Sequence, residues 1–243
     1  MRLDQALVQR NLCESRQEAQ EAIALGYVSV DGVVMTKQTK QIEDTMTIEV
    51  SQKRKFVSRG GDKLEGALVH IFKGKEQAKG ILEGKHALDV GSSTGGFTDC
   101  LLSYGVRQVV AIDVGTAQLH SRLRTDSRVI LFENTDIRDV TREDSFDIVV
   151  ADLSFIPLER VIDTIFAFGT KKAHYFILIK PQFEVGKGNT KKGIVKNQDK
   201  IQEVLQKYTD MATTRGLQKV EVFPSIITGG DGNQEYFLFG TLQ

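Results

Sequence analysis

The feature that most restricts the fold of this chain is a regular alternation of short apolar segments with helical patterns through its larger part. Segments with a strand pattern occupy residues 86–90, 108–114, 129–132, 146–153, 175–180, 219–227 and 235–242. Strands that alternate with helices form a parallel sheet wrapped by helices. A glycine-rich turn separates the last two segments, so they predict an antiparallel hairpin that closes the sheet. The sequence therefore predicts an α/β fold for this region.

A smaller unit precedes the sheet. After a helical pattern over residues 2–11, Ser15 and Glu18 have the spacing of a capping box, and Gly26 is a typical helix stop. A strand, an Asp31-Gly32 turn and a second strand follow. Paired glycines further along suit a flexible joint. The expected parts are a small α+β domain over residues 1–52, a basic linker over residues 53–60 and an α/β domain over residues 61–243.

Charge and cysteine content narrow the classes of protein. The 243 residues contain 32 Lys and Arg and 32 Asp and Glu, so net charge gives no argument for a polyanionic partner. Cys13 and Cys100 lack the spacing of a zinc site or of a disulfide framework, which favours the reducing cytoplasm. Neither an apolar run of about 18 residues nor an apolar N-terminal segment occurs, so we expect neither secretion nor a membrane partner.

A glycine-rich loop follows the first strand of the sheet, with the sequence LDVGSSTGGFT from Leu88 to Thr98. Glycines permit positive φ and expose backbone N–H groups, so a polar or anionic ligand is expected beside them. Gly91 and Gly96 have the spacing of a triphosphate-binding loop, but Phe97 stands where that loop needs a lysine. The G-x-G-x-x-G pattern of dinucleotide sites is also absent. Nucleoside triphosphates, NAD and FAD are therefore disfavoured.

Acidic residues follow the next two strands. Asp113 ends the second strand, where a carboxylate can accept hydrogen bonds from both ribose hydroxyls, and Asp136 follows the third, within reach of an adenine amino group. The loop, Asp113 and the closing hairpin together predict S-adenosylmethionine as the cofactor. The alternative is that the glycines only form a turn and the acids only cap helices. The candidate cofactor-binding residues are Asp89, Gly91, Ser92, Ser93, Thr94, Gly95, Gly96, Phe97, Asp113, Asp136 and Asp152.

Four charged residues are candidates for the chemistry. Asp152 ends the fourth strand and Lys180 the fifth, and these strand ends face the ligand crevice of an open α/β sheet. Lys63, after the paired glycines, and Glu235, at the start of the last strand, could converge on them. Methyl transfer to a hydroxyl needs a group that takes or polarises its proton, which two lysines and two acids in one cleft can supply. The alternative is that each residue forms a surface salt bridge.

These four residues match the Lys-Asp-Lys-Glu tetrad of the FtsJ-like ribose 2′-O-methyltransferases. The whole chain resembles the TlyA family, which joins a Rossmann-like methyltransferase sheet to an N-terminal alpha-L module of the ribosomal S-four type. The segments that carry this resemblance are residues 2–4, 15–16, 26–32, 58–64, 88–99, 151–156, 179–184 and 232–236.

The resemblance implies S-adenosylmethionine-dependent 2′-O-methylation of ribosomal RNA, with cytidine ribose as the target and with no metal. It implies that Lys180 orients the 2′-hydroxyl and helps to deprotonate it, and that Asp152 positions Lys180 and the methyl donor. Lys63 and Glu235 would complete the network. The implied partners are ribosomal RNA or ribosomal subunits, and both a monomer and a homodimer stay open. Relatives in this family have also carried a haemolysin label.

Positive charge is not concentrated in the N-terminal part of the chain, where RNA contacts would be expected. Residues 1–50 hold five Lys or Arg and eight Asp or Glu, although phosphate contacts need only a few aligned cations. The candidate RNA-binding residues are Arg2, Arg16, Lys40, Lys53, Arg54, Lys55, Arg59, Lys191 and Lys192. Such charges are equally often only a solvated face. Phe155 and Phe183 could stack a flipped base or the cofactor adenine, but core packing is the favoured interpretation for both.

Three other functions stay open at this point. An amino-group methyltransferase acting on a base or a protein would carry an Asn/Asp-Pro-Pro-aromatic motif at residues 152–155, where both prolines are absent. A noncatalytic RNA-binding factor for ribosome assembly would not need a cofactor. A lytic, haemolysin-like protein would need an amphipathic membrane stripe or an apolar span, and the sequence shows neither.

Overall fold

The computed structural model describes residues 1–24, 26–51, 55–141, 145–186 and 188–243. The chain divides into two compact units, Met1–Lys55 and Phe56–Gln243. Each unit has its own hydrophobic core. Within the described ranges, no helix is long and apolar enough to cross a membrane.

The first unit is a small α+β domain. Its elements are α1 (Leu3–Gln9), α2 (Arg16–Ala24), β1 (Val28–Val30), β2 (Val33–Val34) and β3 (Ile48–Val50). The strands form an antiparallel sheet in the order β2-β1-β3. The Ser15 hydroxyl accepts a hydrogen bond from the Glu18 backbone N–H at 3.1 Å, as the capping-box spacing predicts. Asp31 and Gly32 both have positive φ, which is the geometry of a two-residue hairpin turn.

The second unit is a seven-stranded α/β sheet with a small separate hairpin. Its helices are α3 (Arg59–Phe72), α4 (Lys75–Leu82), α5 (Gly96–Ser103), α6 (Ser121–Arg124), α7 (Ile162–Ala167), α8 (Pro181–Glu184) and α9 (Gln198–Thr214). Its strands are β4 (His86–Val90), β5 (Gln108–Ile112), β6 (Val129–Phe132), β7 (Phe146–Ala151), β8 (Gly169–Ile179), β9 (Thr190–Lys191), β10 (Ile194–Val195), β11 (Leu217–Pro224) and β12 (Tyr236–Leu242).

The strand order is β11-β12-β8-β7-β4-β5-β6. Strands β4 to β8 are parallel, whereas β12 runs antiparallel to both β8 and β11. This topology confirms the predicted α/β fold with a closing antiparallel hairpin. The hairpin β9–β10 stands outside the large sheet.

The sheet is buried on both faces. Leu88, Val149 and Ile177 belong to one core cluster, and their chain neighbours Ala87, Ile148 and Phe176 belong to another. Successive residues of a strand point to opposite faces, and helices cover both faces of a parallel sheet. Polar side chains can therefore meet a ligand at the strand ends rather than along the strands.

Gly60 and Gly61 do not form the flexible joint that the sequence predicts. Both lie in the first turn of α3, and a Cβ on Gly61 would overlap the buried side chain of Phe56. These glycines instead permit close packing, because the start of α3 lies directly against neighbouring segments of the same polypeptide. Residues 53 and 54 of the predicted basic linker lie outside the described residues.

Candidate active site

The glycine loop after β4 approaches the end of β7 very closely. Gly91 has φ +82°, and a Cβ at this position would lie 2.7 Å from the carbonyl oxygen of Asp152. A side chain would therefore be both strained and in collision with backbone, so only glycine fits. This approach joins the first loop of the sheet to the loop that carries Asp152.

Asp113 is held in place by backbone amides. One carboxylate oxygen accepts a hydrogen bond from the Ser93 N–H at 2.7 Å, and the other accepts one from the Gly115 N–H at 2.6 Å. Each oxygen keeps a further lone pair that can accept a hydroxyl proton. The loops after β4 and β5 are thereby fixed to one carboxylate.

A cavity of about 300 Å³ opens between these loops. Its polar lining residues are Ser93, Asp113, Gln118, Thr135, Asp136, Asp152 and Ser154, together with the backbone of Gly91. Its apolar lining residues are Val90, Ile112, Val114, Ile137, Leu153, Phe155, Ile156 and Val161. Apolar walls with a few fixed polar groups are typical of a small-molecule site.

Asp136 both caps a turn and lines the cavity. Its carboxylate accepts hydrogen bonds from the Arg138 guanidinium at 2.9 and 2.6 Å and from the Arg138 backbone N–H at 2.9 Å. These hydrogen bonds, with that of the guanidinium the strongest, lower the pKa of Asp136 to about 2. The residue is therefore ionised at neutral pH, and the capping role does not remove it from the cavity.

The other predicted cofactor residues, Asp89, Ser92, Thr94, Gly95, Gly96 and Phe97, do not line the cavity. Asp89 is fully buried and accepts a hydrogen bond from the Thr98 hydroxyl at 2.6 Å. Burial raises the pKa of Asp89 to about 7. Phe97 stacks on Phe237 in the core. Gly96 faces the first turn of α3, where a Cβ would overlap the Ser58 hydroxyl.

The sheet register brings three of the four proposed catalytic residues to one edge. Val90 pairs with Ala151, and Ala151 pairs with Ile177, so β7 ends next to both β4 and β8. Tyr236 pairs with Ile179 in the antiparallel ladder. Asp152, Lys180 and Glu235 lie one residue beyond Ala151, Ile179 and Tyr236, so all three stand at the same edge of the sheet, with Lys180 level with Glu235.

The four side chains form two ion pairs. Lys180 Nζ lies 2.5 Å from Asp152 Oδ1 and donates a hydrogen bond to the Ser154 hydroxyl at 2.8 Å. Lys63 Nζ, from α3, donates to Glu235 Oε2 at 2.5 Å. The Lys63 and Glu235 side chains are 8% and 3% exposed, so this pair is no surface salt bridge. Of the four residues, Asp152 lines the cavity directly.

Phe155 does not pack in the core as the sequence analysis favours. It is 89% exposed, lines the cavity and has φ +65°, which is an unusual conformation for an aromatic residue. Its ring centroid lies 5.1 Å from that of the partly buried Phe183. The two loops that follow Asp152 and Lys180 therefore share an aromatic contact beside the cavity.

Glu184 and Tyr208 also connect these loops, and no sequence pattern predicts a role for either residue. Glu184 accepts hydrogen bonds from the Leu158 N–H at 2.9 Å and from the Tyr208 hydroxyl at 2.5 Å. Burial raises the pKa of Glu184. Glu184 stands four residues after Lys180 and Leu158 six residues after Asp152, so the contact holds both loops together. Sequence periodicity cannot reveal it, because it depends on where α9 packs.

The predicted RNA-binding cations lie on different elements and differ in exposure. Lys191 and Lys192 are exposed on the β9–β10 hairpin, Lys40 and Lys55 are exposed in the first unit, and Arg59 is partly buried in α3. Lys53 and Arg54 lie outside the described residues. Among the residues that are described, no group of three or more His, Cys, Asp or Glu side chains is arranged to hold a metal ion.

In the first unit, Arg2 and Arg16 meet at one buried carboxylate. Asp4 accepts hydrogen bonds from Arg2 at 3.0 and 3.2 Å, from Arg16 at 3.0 Å and from Gln20 at 2.9 Å. Burial alone would raise the pKa of Asp4, but these hydrogen bonds outweigh it and hold the pKa well below its usual value. Both guanidinium groups stay partly exposed and are held side by side.

Comparison with known families decides how this site is classified. Residues 56–242 match the FtsJ-like methyltransferase family. The chain belongs to the FtsJ-like methyltransferase family. Residues 1–48 of this FtsJ-like methyltransferase match the S4 domain. Both matches confirm the two kinds of domain that the resemblance implies.

Similar proteins cover nearly the whole chain. This FtsJ-like methyltransferase is 40% identical over 244 residues to "16S/23S rRNA (cytidine-2'-O)-methyltransferase TlyA" of Mycobacterium tuberculosis, covering 98% of this chain and 88% of that protein. It is 40% identical over 242 residues to "Hemolysin A" of Brachyspira hyodysenteriae, covering 97% and 98%. A solved structure from Streptococcus thermophilus that carries a hemolysin name has a TM-score of 0.75 and 31% identity, covering 100% of this chain and 88% of that one. The resemblance to the TlyA family is confirmed.

Proposed function

We propose that this protein transfers a methyl group from S-adenosylmethionine to a ribose 2′-hydroxyl of ribosomal RNA, with cytidine as the modified nucleoside. The proposal rests on two ion pairs, Lys180–Asp152 and Lys63–Glu235, at the sheet edge where Asp152 lines the cavity. A relative 40% identical over nearly the full length is named as an enzyme with this activity.

The chemistry of the cavity suits an adenosine-containing cofactor. Asp113 has its two oxygens fixed by backbone amides and offers acceptors for two ribose hydroxyls. Asp136, ionised and held by Arg138, offers an acceptor for an amino group, and the apolar walls suit a purine ring. When bound, S-adenosylmethionine supplies an electrophilic methyl group.

Lys180 is the residue proposed to act on the acceptor hydroxyl. Asp152 and Ser154 fix its Nζ in position to orient the 2′-oxygen. Once the ammonium has released a proton to solvent, the neutral amine would accept the hydroxyl proton as the oxygen–carbon bond forms and the carbon–sulfur bond of the methyl donor breaks. Asp152 contacts Lys180 and also lines the cavity, so it aligns the amine with the methyl donor.

Lys63 and Glu235 are proposed to fix the other side of this network. Glu235 lies next to Lys180 by the register of β12 and β8, and it is itself held by Lys63 from α3. A buried pair of opposite charges gives the site a fixed local field that solvent screens little.

The first unit is proposed to bind the RNA. Arg2 and Arg16 are held side by side by Asp4, and exposed Lys40 adds a further cation.

In the second unit, Phe155 is exposed beside the cavity and offers a ring on which an unpaired base could stack. Ribosomal RNA or ribosomal subunits as substrate would place the protein in the cytoplasm.

The experiment that tests this proposal incubates the protein with labelled S-adenosylmethionine and ribosomal subunits, followed by alkaline hydrolysis of the RNA. A 2′-O-methyl group blocks cleavage of the adjacent phosphodiester, so we expect the label in an alkali-resistant dinucleotide. Label released only as mononucleotides would instead establish base methylation. Absence of S-adenosylmethionine binding in calorimetry would support a noncatalytic RNA-binding factor.

Lys180→Ala provides the matched test of the mechanism. We expect a rate of methyl transfer lower by about 10²- to 10⁴-fold, the usual contribution of a proton-transferring group. The affinity for S-adenosylmethionine should stay close to that of the parent protein, because Lys180 does not line the cavity. Full activity of this variant would exclude Lys180 from the proton transfer.

A further inference from the structure

Asn233 lies in the turn before β12, two residues ahead of Glu235, and is 3% exposed. Its side-chain nitrogen donates a hydrogen bond to the Gly193 carbonyl at 2.9 Å, and its side-chain oxygen accepts one from the Val195 N–H at 3.0 Å. Both amide groups therefore bind the β9–β10 hairpin, which is about 40 residues away in sequence.

Residues 190–195, here called the lysine hairpin, carry two exposed cations. Lys192 and Gly193 form the turn, with φ +53° and +80°, and Lys191 precedes it. Val195 anchors the other strand in the main hydrophobic core. The charged tip projects into solvent, whereas its base is bound to the turn that leads to Glu235.

Asn233 is itself held firmly in that turn. Its carbonyl accepts a hydrogen bond from the Gly229 N–H at 2.8 Å, and its N–H donates to the Asp231 carboxylate at 3.2 Å. Its backbone and its side chain therefore fix two different segments to each other. Asn233 carries no charge, so any effect on anion binding must act through the position of the lysines.

We propose that Asn233 is a positioning residue that fixes the lysine hairpin relative to Glu235. A backbone phosphate of the RNA held by Lys191 and Lys192 then places the acceptor ribose at the Lys63–Glu235 and Lys180–Asp152 pairs. This inference rests on the proposed function, and it assigns to the hairpin a role in aligning the substrate as well as in attracting it.

The test measures how the apparent affinity for ribosomal subunits depends on salt concentration. Each phosphate contact that is lost lowers the slope of log affinity against log salt by about 0.7 to 0.9. Lys191→Ala with Lys192→Ala should lower the slope by roughly 1 to 2. We expect Asn233→Ala to lower the slope as well, although it removes no charge.

The combined variant completes the test. If Asn233 acts by positioning the two lysines, adding Asn233→Ala to the double lysine variant should cost less than twofold further affinity, since interacting residues are not additive. Independent, additive losses and a parental salt slope for Asn233→Ala would overturn the inference and leave a merely structural role.

Gln234→Ala is the matched control. It removes a neighbouring side-chain amide that donates hydrogen bonds to the Ser225 and Glu235 carbonyls rather than to the lysine hairpin, so the salt slope should stay parental. If Asn233→Ala does not fold, Asn233→Ser keeps a polar group in the buried turn, but its shorter side chain cannot hold both Gly193 and Val195, so it should show the same slope change. Thermal unfolding and S-adenosylmethionine affinity show whether each variant is folded.

A parent protein that yields no alkali-resistant product would refute the proposed function, whereas an unchanged slope in an active preparation refutes the positioning role alone.

Discussion

The four paired residues differ in burial. The side chains of Lys63 and Glu235 are 8% and 3% exposed, whereas those of Lys180 and Asp152 are 11% and 22% exposed. A buried charge is costly once its partner is removed, because water cannot replace the partner. The more exposed pair borders the cavity and can exchange contacts with a substrate. We therefore expect the two pairs to differ in how strongly they affect stability.

Glu235→Ala should destabilise the fold by about 3 to 5 kcal/mol, since it leaves the Lys63 ammonium buried without its carboxylate. Urea unfolding of the variant and the parent measures this difference in free energy. The double variant Lys63→Met with Glu235→Leu should recover most of the stability, because it buries no charge. It should not recover methyl transfer, and a double variant with parental activity would contradict the proposed role of the pair.

Asp89 should make the protein less stable as the pH rises from about 4 to 7. Burial raises its pKa to about 7 in the folded protein, so the folded state keeps a proton that the unfolded state has already lost. Unfolding releases this proton in that interval, and a rise in pH therefore favours unfolding. Above about pH 7 the folded state ionises too, and the penalty stays constant.

Asp89→Asn provides the measurement, because an amide cannot ionise and its oxygen can still accept the Thr98 hydroxyl proton. We expect the free energy of unfolding to fall less between pH 5 and pH 8 in the variant than in the parent. Equal losses in both proteins would show that Asp89 does not titrate in this interval.

At the scale of elements, the contact between α3 and α5 depends on glycine. A Cβ on Gly96 would overlap the Ser58 hydroxyl and lie 2.8 Å from the Gly61 backbone nitrogen. Helix α3 carries Lys63, and α5 follows the glycine loop. The spacing of the two helices therefore connects the glycine loop with the buried ion pair.

Gly96→Ala should destabilise the fold by about 1 to 3 kcal/mol, the usual cost of overpacking a close contact. Gly80→Ala is the control, because Gly80 lies in α4 with no atom within 4 Å of an added Cβ. That substitution should be neutral or should stabilise by up to about 1 kcal/mol. Differential unfolding in urea distinguishes them, and equal effects would contradict the packing argument.

Sequence patterns predict these elements unequally. Helix α9 buries Ile201, Val204, Leu205, Tyr208 and Ala212, which recur at helical spacing in the sequence, and the Asn197 side chain caps its first turn at 2.9 and 3.2 Å. Strand β8 begins at Gly169, although the sequence pattern predicts a start at residue 175. The pattern misses the first residues because several are polar and they lie at a partly exposed end of the sheet. Helix α4 and the lysine hairpin had no clear apolar periodicity, since both lie mostly at the surface.

In the whole molecule, the two units have separate hydrophobic cores, so we expect each unit to bind its ligand independently of the other. The core of the first unit is formed by residues before Lys55, and those of the second by Phe56 and later residues. A change at one unit's binding residues should therefore leave the other unit's ligand affinity intact. This expectation can be tested with one variant in each unit.

Arg16→Ala should lower the affinity for ribosomal subunits and reduce its salt slope by about one, because it removes one proposed phosphate contact. The affinity for S-adenosylmethionine should be unchanged. Asp113→Ala should show the reverse, with cofactor affinity lower by about tenfold or more, since a carboxylate that accepts hydroxyl protons is lost. Calorimetry and subunit binding measure both quantities, and parallel losses of both affinities in either variant would contradict this division.

The sequence by itself predicted the strands of the large sheet, its closing hairpin and the glycine loop, and with the family resemblance it named four candidate catalytic residues. Apolar periodicity and residue type are local properties, so they can be read along the chain. Only the tertiary structure decided that Asp89 points into the core, that Phe155 points outward and that Asn233 binds the lysine hairpin. These outcomes depend on strand register and on packing between segments far apart in sequence, which no local pattern encodes.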